Sequence, residues 1–252
     1  MFPYFTEPVL RVFGQAITAF QLLVFTAVAV GYQIVARRSA RRGWDPDLVL
    51  SLLLWTVLAG FVGSHLLDTV LYEREALRQN PLVLLEVWGT MSSYGGLLGG
   101  VAGALWAMRR KRLSGAQMFA FIDLVAFGFA FAWIFGRLGC ALAHDHLGIE
   151  SRSFLAVRFP SGPRYDLGLL EFLYALVMAA IFLWLDRKPR PSGFFIGLFF
   201  ALYGPVRFAL DALRTGDARY LGWTPGQYLS VIAAAFGLVL LRFIARPTPA
   251  PA

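Results

Sequence analysis

The sequence predicts an all-α polytopic membrane protein with seven transmembrane helices, its N-terminus outside and its C-terminus cytoplasmic. Three observations carry this. Of 252 residues, 58% are hydrophobic and only 15% charged, with a mean hydropathy of +0.62, which is too apolar for a water-soluble domain of this length. Apolar runs lie near 16–35, 48–71, 91–108, 118–135, 167–185, 193–210 and 226–244, each approaching the roughly 20 residues a helix needs to cross about 30 Å of hydrocarbon. Short basic clusters separate alternate runs. Because a spanning backbone must satisfy its own hydrogen bonds, and the runs lack the period-two alternation of barrel strands, each reads as a helix. The organisation expected is one bundle over 1–246 and a disordered tail over 247–252.

The first run has no basic region or small-residue cleavage site before it, so it reads as a retained span rather than a signal peptide. It ends on Arg37, Arg38, Arg41 and Arg42. The second carries His65 and Asp68, three residues apart, which suit hydrogen bonding to a neighbouring helix. The third opens on the polar turn Ser92, Ser93, Tyr94, followed by Gly95, Gly96, Gly99 and Gly100. Glycines at this spacing favour tight helix packing, and a glycine pair after a polar turn also lets backbone approach a lipid headgroup. Arg109, Arg110, Lys111 and Arg112 close it. Asp123 in the fourth run and Glu171 in the fifth read as interhelical polar groups. Arg187, Lys188 and Arg190 follow the fifth.

In the sixth run Tyr203, Arg207, Asp211 and Arg214 are spaced by four, four and three residues and share one helical face, with Pro205 expected to kink the helix. An arginine or aspartate costs about 2.5–3.5 kcal/mol at the bilayer centre. This stripe is therefore partnered, faces a wet cavity, or snorkels as an interfacial ladder. Arg242 and Arg246 end the seventh run. With an odd number of spans all four basic clusters fall on one side, the cytoplasmic one. The net charge of +8 thus serves topology rather than nucleic-acid binding. A single cysteine excludes an internal disulfide.

This orientation gathers three polar segments on the outer side: the turn at 92–96, residues 136–168, and the end of the sixth run through Asp217. The densest is GRLGCALAHDHLG, 136–148. Cys140 with His144 and His146 could ligate a metal, but the spacing is not a standard zinc pattern and there is no second cysteine. Cys140 could be a nucleophile with a histidine base, although GCALA reads equally as apolar packing. Arg137 could hold an anionic oxygen while a histidine or Asp145 moves a proton, and a planar guanidinium fork suits phosphate. A hydrogen-bonded loop anchor is the fourth reading. No metal and no cofactor are expected.

The glycine–arginine opening and closing Gly148 of that segment, the preceding MSSYGGLLGG, and the later YGPVRFALDALRTGDARYLGWTPGQYLS together resemble the prolipoprotein diacylglyceryl transferase family over nearly the whole chain. The resemblance implies a bacterial cytoplasmic-membrane transferase with its active site toward the outer side. It implies transfer of diacylglyceryl from phosphatidylglycerol to the lipobox cysteine thiol of an exported prolipoprotein, forming a thioether and releasing glycerol phosphate. Arg137 and Arg207 match motif arginines and become phosphate candidates. His144, Asp145, His146 and Tyr94 complete the catalytic candidates, and Gly95, Gly96, Gly148, Glu171, Tyr203, Asp211 and Arg214 the substrate-binding ones. Several positions depart from the family pattern. Tyr94 stands where a histidine precedes the paired glycines, Cys140 and Ala143 replace asparagines, and Asp145 and Asp211 replace glutamates. Tyr165 replaces a histidine and Phe20 a tyrosine. Since tyrosine, with a pKa of about 10, is a poor base at neutral pH, His144 or His146 is expected to supply that function. The competing readings are a paralogue moving phospholipid-derived groups to another acceptor, and a non-catalytic lipid-binding membrane protein.

Overall fold

In the computed structural model, which describes residues 1–12, 15–85, 93–215 and 219–244, the apolar runs become helices, the form in which a long apolar segment satisfies its own backbone hydrogen bonds. They are α1 (Ala19–Ala40), α2 (Pro46–Tyr72), α3 (Arg74–Gln79), α4 (Ser93–Arg110), α5 (Gly115–Ala143), α6 (Leu167–Leu185), α7 (Phe194–Ala212) and α8 (Pro225–Ile244). Among the described residues six of them, α1, α2, α5, α6, α7 and α8, are long and apolar enough to cross a membrane. The third expected span forms α4, but its 18 residues include five glycines and end on Arg109 and Arg110, so it lacks the apolar content of the others. One boundary shifts in a way that matters. The fourth run was expected to end at 135, yet α5 continues to Ala143, which puts Arg137 and Cys140 on a helix rather than in the segment after it.

The all-α expectation also misses a small sheet. Strands β1 (Phe2–Pro3), β4 (Leu147–Glu150), β5 (Val157–Phe159) and β6 (Gly162–Asp166) pair in the order β1-β5-β6-β4, while β2 (Val9–Val12) and β3 (Gln15–Thr18) form a separate hairpin. β1 runs parallel to β5, and the other pairings of the larger sheet are antiparallel. These strands are two to five residues long, too short for a period-two pattern to stand out from the sequence around them.

The chain divides into two compact units, Met1–Val35 with Phe119–Ala252, and Ala36–Met118. In the second, α2 and α4 meet through glycines. A Cβ on Gly63 would stand 2.7 Å from the Gly95 carbonyl oxygen and 2.9 Å from Gly99 Cα, so the small residues let the two backbones touch. His65 is buried and its Nε2 lies 3.1 Å from the Val83 carbonyl oxygen.

In the first unit, Phe127, Ala130 and Trp133 of α5, Ala175, Met178 and Phe182 of α6, and Phe195 and Phe199 of α7 form the buried core. Asp123, 1% exposed, accepts from the Phe195 and Ile196 backbone N–H groups at 2.7 and 3.0 Å. It thereby caps α7, whose own N-cap residue is Gly193 and supplies no side chain. α7 continues through Pro205 and packs on α8, where a Cβ on Gly204 would stand 2.6 Å from the Ser230 carbonyl oxygen.

Candidate functional site

Three helices of the first unit bring charge together at one place. Arg137 comes from the last two turns of α5, Glu171 from the first two turns of α6, and Arg207 and Asp211 from the last two turns of α7. Glu171, only 1% exposed, takes Arg137 Nε on one oxygen and Arg207 Nη1 on the other, each at 2.5 Å. Arg207 uses its second terminal nitrogen on Asp211, with Nη2 to Oδ1 at 3.0 Å. A guanidinium can bridge two carboxylates in this way because its donors diverge in a fixed plane. Arg214, three residues on, stands 3.9 Å from the same Asp211 oxygen.

Asp211 is held from its other side by the Thr224 hydroxyl, which donates to Oδ2. Thr224 also opens α8. Its Oγ1 accepts from Gln227 N at 3.1 Å while Gln227 Oε1 accepts from Thr224 N at 3.0 Å, a reciprocal capping box with Pro225 at the first helical position. Gly226 must be a glycine, since a Cβ there would stand 2.6 Å from Asp211 Oδ2. The TPGQ motif thus positions Asp211, and through it Arg207.

Exposure is graded across the cluster: about a fifth for the Arg137 and Arg207 side chains against 1–2% for the two acids. The carboxylates are therefore buried supports, and the guanidiniums are the groups that reach outward. Tyr203, one turn before Arg207, sets its ring edge-on against Trp133 at 4.9 Å, and the Arg137 guanidinium carbon lies 5.8 Å from the same indole centroid.

The histidines of the HDH triplet part company. α5 ends at Ala143, and His144 takes the left-handed conformation with φ of 52°, which turns the chain sharply. The His144 ring is committed elsewhere. Nδ1 lies 2.5 Å from Asp166 Oδ2, and Nε2 3.0 Å from the Phe5 carbonyl oxygen. Tyr4, Phe5 and Phe159 surround it with ring centroids 5.0–5.1 Å away. Asp166 is fully buried and caps α6 by accepting from Leu169 N at 3.1 Å. Burial pushes its carboxyl above the usual carboxylate range, and the His144 and Leu169 hydrogen bonds pull against that rise. His144 therefore ties the N-terminal strand segment, β5 and the start of α6 to the end of α5.

His146 keeps different company. Its Nδ1 lies 2.9 Å from the Asp145 carbonyl oxygen and 3.7 Å from Asp145 Oδ1. The ligand atoms of Cys140, Asp145 and His146 lie within 4.8 Å of one another, and Arg137 Nη1 stands 3.9 Å from Cys140 Sγ. Cys140 is thus grouped with Asp145 and His146, and not with both histidines as its spacing in the sequence suggests.

Gly148 bridges to Arg214 through backbone, and the following Ile149 N donates to the Leu213 carbonyl at 2.9 Å, fastening β4 to the end of α7. Tyr165 gains hydrogen bonds with Ser151 and Ser153 that lower its phenol below the ordinary range. Tyr94, Gly95 and Gly96 belong to the other unit. Gly95 packs on α2, and the Tyr94 side chain, with Ser92, Asp217, Arg246 and the tail 247–252, lies outside the described residues. Sequence reasoning missed Asp166 and Thr224. Both had a signal: an aspartate directly before an apolar run, and a threonine three residues before a glutamine at a helix start.

The family model described as prolipoprotein diacylglyceryl transferase matches residues 8–243. Phosphatidylglycerol–prolipoprotein diacylglyceryl transferases are among the similar chains. The one from Pseudoalteromonas atlantica is 30% identical over 262 residues, covering 96% of this chain and 92% of its own length. That of Pseudomonas paraeruginosa is 32% identical over 233 residues, covering 87% and 86%. That of Pseudomonas putida is 30% identical over 249 residues, covering 92% and 91%.

Proposed function

Because the chain belongs to the prolipoprotein diacylglyceryl transferase family, we propose that it transfers diacylglyceryl from phosphatidylglycerol to the lipobox cysteine of prolipoproteins. The acceptor thiol loses its proton, the sulfur attacks the glyceryl carbon bearing the phosphate, and the carbon–oxygen bond breaks as glycerol phosphate leaves with the electron pair. The observation that carries this reading is the buried Glu171 gripped by Arg137 and Arg207 at 2.5 Å each.

The phosphodiester enters with one negative charge and leaves as a monoester that gains a second. Charge thus develops on the phosphate in the transition state, and fixed cations aimed at it accelerate the step. Arg137 and Arg207 stand against Glu171 and Asp211, which holds two guanidiniums side by side where a diester would meet them. The carboxylates orient the guanidiniums before substrate arrives, so little reorganisation is needed at the moment of reaction.

The topology proposed is seven spans, α4 added as the third to the six long apolar helices, in the bacterial cytoplasmic membrane with the N-terminus out. In α5 to α8 the arginine network and Thr224 sit at the helix ends opposite the basic clusters 109–112, 187–190 and Arg242. By the positive-inside rule this directs the site outward, where exported prolipoproteins arrive.

The test is to reconstitute the purified protein in phosphatidylglycerol vesicles with a lipobox peptide and read the peptide by mass spectrometry. The expected result is a diacylglyceryl mass gain that disappears when the peptide cysteine is serine. Folded protein that gives no gain refutes the reading.

A further inference from the structure

We propose that Cys140, Asp145 and His146 form a binding site for a zinc-class divalent cation, whose open position takes the acceptor thiol; the second half rests on the transferase reading above. The three ligand atoms lie within 4.8 Å of one another. On a tetrahedral zinc, with bonds of about 2.3 Å to sulfur and 2.0–2.2 Å to nitrogen and oxygen, ligand atoms stand roughly 3.4–3.6 Å apart. His146 Nδ1 and Asp145 Oδ1, at 3.7 Å, are already near that separation. Their side chains are about a third exposed, so small rotamer changes suffice to close the set, His146 exchanging its contact with the Asp145 carbonyl for the ion.

The backbone explains why these three meet. Cys140 lies in the last turn of α5, and the left-handed His144 reverses the chain so that residues 145 and 146 return beside it. One thiolate, one imidazole and one carboxylate make a borderline-soft set suited to zinc, and three protein ligands with a fourth position open is the arrangement of zinc sites that act on a substrate.

Two further observations point to thiol chemistry. The reaction needs the acceptor sulfur as thiolate, yet a free thiol with a pKa of about 8.5 is mostly protonated at neutral pH. His144 is not available as base, being engaged by Asp166 and the Phe5 carbonyl. A thiol coordinated to zinc is deprotonated outright. Arg137, whose Nη1 stands 3.9 Å from Cys140 Sγ, also grips Glu171 in the arginine network. A sulfur held beside Cys140 is therefore held beside the groups assigned to the phosphate. The acceptor thiol coordinates and releases its proton to solvent. Its sulfur attacks the glyceryl carbon, the carbon–oxygen bond breaks, and the cation is unchanged.

The test uses the full-length protein in detergent, stripped with a chelator and titrated with Co²⁺. The expected result is one cobalt per chain with a thiolate-to-cobalt charge-transfer band. Cys140→Ser abolishes that band, and His146→Ala and Asp145→Asn each weaken binding about tenfold or more. His144→Ala keeps the band, which separates the two histidines. A lipobox peptide intensifies the band by adding a second thiolate, whereas its Cys-to-Ser counterpart does not. Absence of the band in folded wild-type protein, its survival in Cys140→Ser, or indifference to the peptide overturns the proposal. Undiminished lipid transfer after chelation also overturns it while leaving the transferase reading intact. Cobalt binding with the peptide response but no transfer supports the metal site and removes the transferase reading instead.

Discussion

Replacing Glu171 with glutamine tests the arginine network at its centre. The carboxylate is 1% exposed and each oxygen takes one guanidinium at 2.5 Å. Glutamine preserves the shape but offers a single acceptor oxygen, and its amide turns an N–H toward the other guanidinium. One charge-assisted hydrogen bond, about 1.5–3 kcal/mol, becomes a donor-to-donor contact. Arg137 and Arg207 also lose the negative charge between them, and breaking a buried pair costs about 3–5 kcal/mol. A stability loss of about 3 kcal/mol is expected, since both arginines are a fifth exposed and part of their charge is screened by solvent. For transfer, the local charge becomes more positive by one, so KM for phosphatidylglycerol stays level or falls. The two guanidiniums lose their fixed directions, so kcat falls by about 10²–10³. Initial rates in phosphatidylglycerol vesicles separate the two parameters, and thermal unfolding in detergent reads the stability. A kcat within about threefold of wild type, equivalent to roughly 0.7 kcal/mol, would refute the claim that Glu171 orients a phosphate clamp.

Arg207→Lys keeps the charge but cannot bridge Glu171 and Asp211 from one planar group, so transfer is expected to drop by about 10² in the same assay. His144→Ala leaves buried Asp166 without its ring partner and is expected to lower stability by about 1–3 kcal/mol, read as a fall in Tm. Asp166, whose pKa is raised by burial, favours its protonated form in the folded state. Its contribution is fully present below the ordinary carboxylate pKa of about 3.9 and is lost as pH rises through the raised value, so Tm declines across that window in wild type and the decline flattens in Asp166→Asn. Asp123→Ala strands the N–H groups of Phe195 and Ile196 at the start of α7 and is expected to cost about 2 kcal/mol in unfolding measurements.

The helices were legible because their signal is long and redundant: a 19- to 29-residue apolar run survives any local irregularity, and the basic clusters mark its ends independently. The sheet was not. Strands such as Val157–Phe159 and Gly162–Asp166 are defined by partners far along the chain, including Phe2 and Pro3, and no local pattern encodes that pairing. The extension of α5 past Arg137 was hidden for a related reason. The glycines and arginine of GRLGC end the apolar run but do not end the helix, because Gly139 packs on Phe20 and the backbone of Cys140 packs on Gly168, and tertiary contact overrides propensity.

The same limit governs the site. The four-residue spacing of Arg207 and Asp211 put them on one helical face in advance, while leaving open whether they pair, face a wet cavity or snorkel; the fold pairs them. Glu171 between two arginines depended on three separate helices, so its sequence reading as an isolated interhelical polar group described its burial but not its partners. Spacing misled most at HDH, where a helix end intervenes. Once His144 adopts a positive φ, adjacent residues point to different neighbours, and counting positions no longer gives distance. His144 then meets Asp166, 22 residues away, while Asp145 and His146 meet Cys140. A double alanine variant at His144 and His146 would merge two effects. Only the single variants, compared by Tm and by transfer, separate a histidine that holds the fold from one placed for chemistry. His144→Ala is expected to lose stability first, and His146→Ala to lose transfer with Tm unchanged; equal behaviour of the two would refute the division.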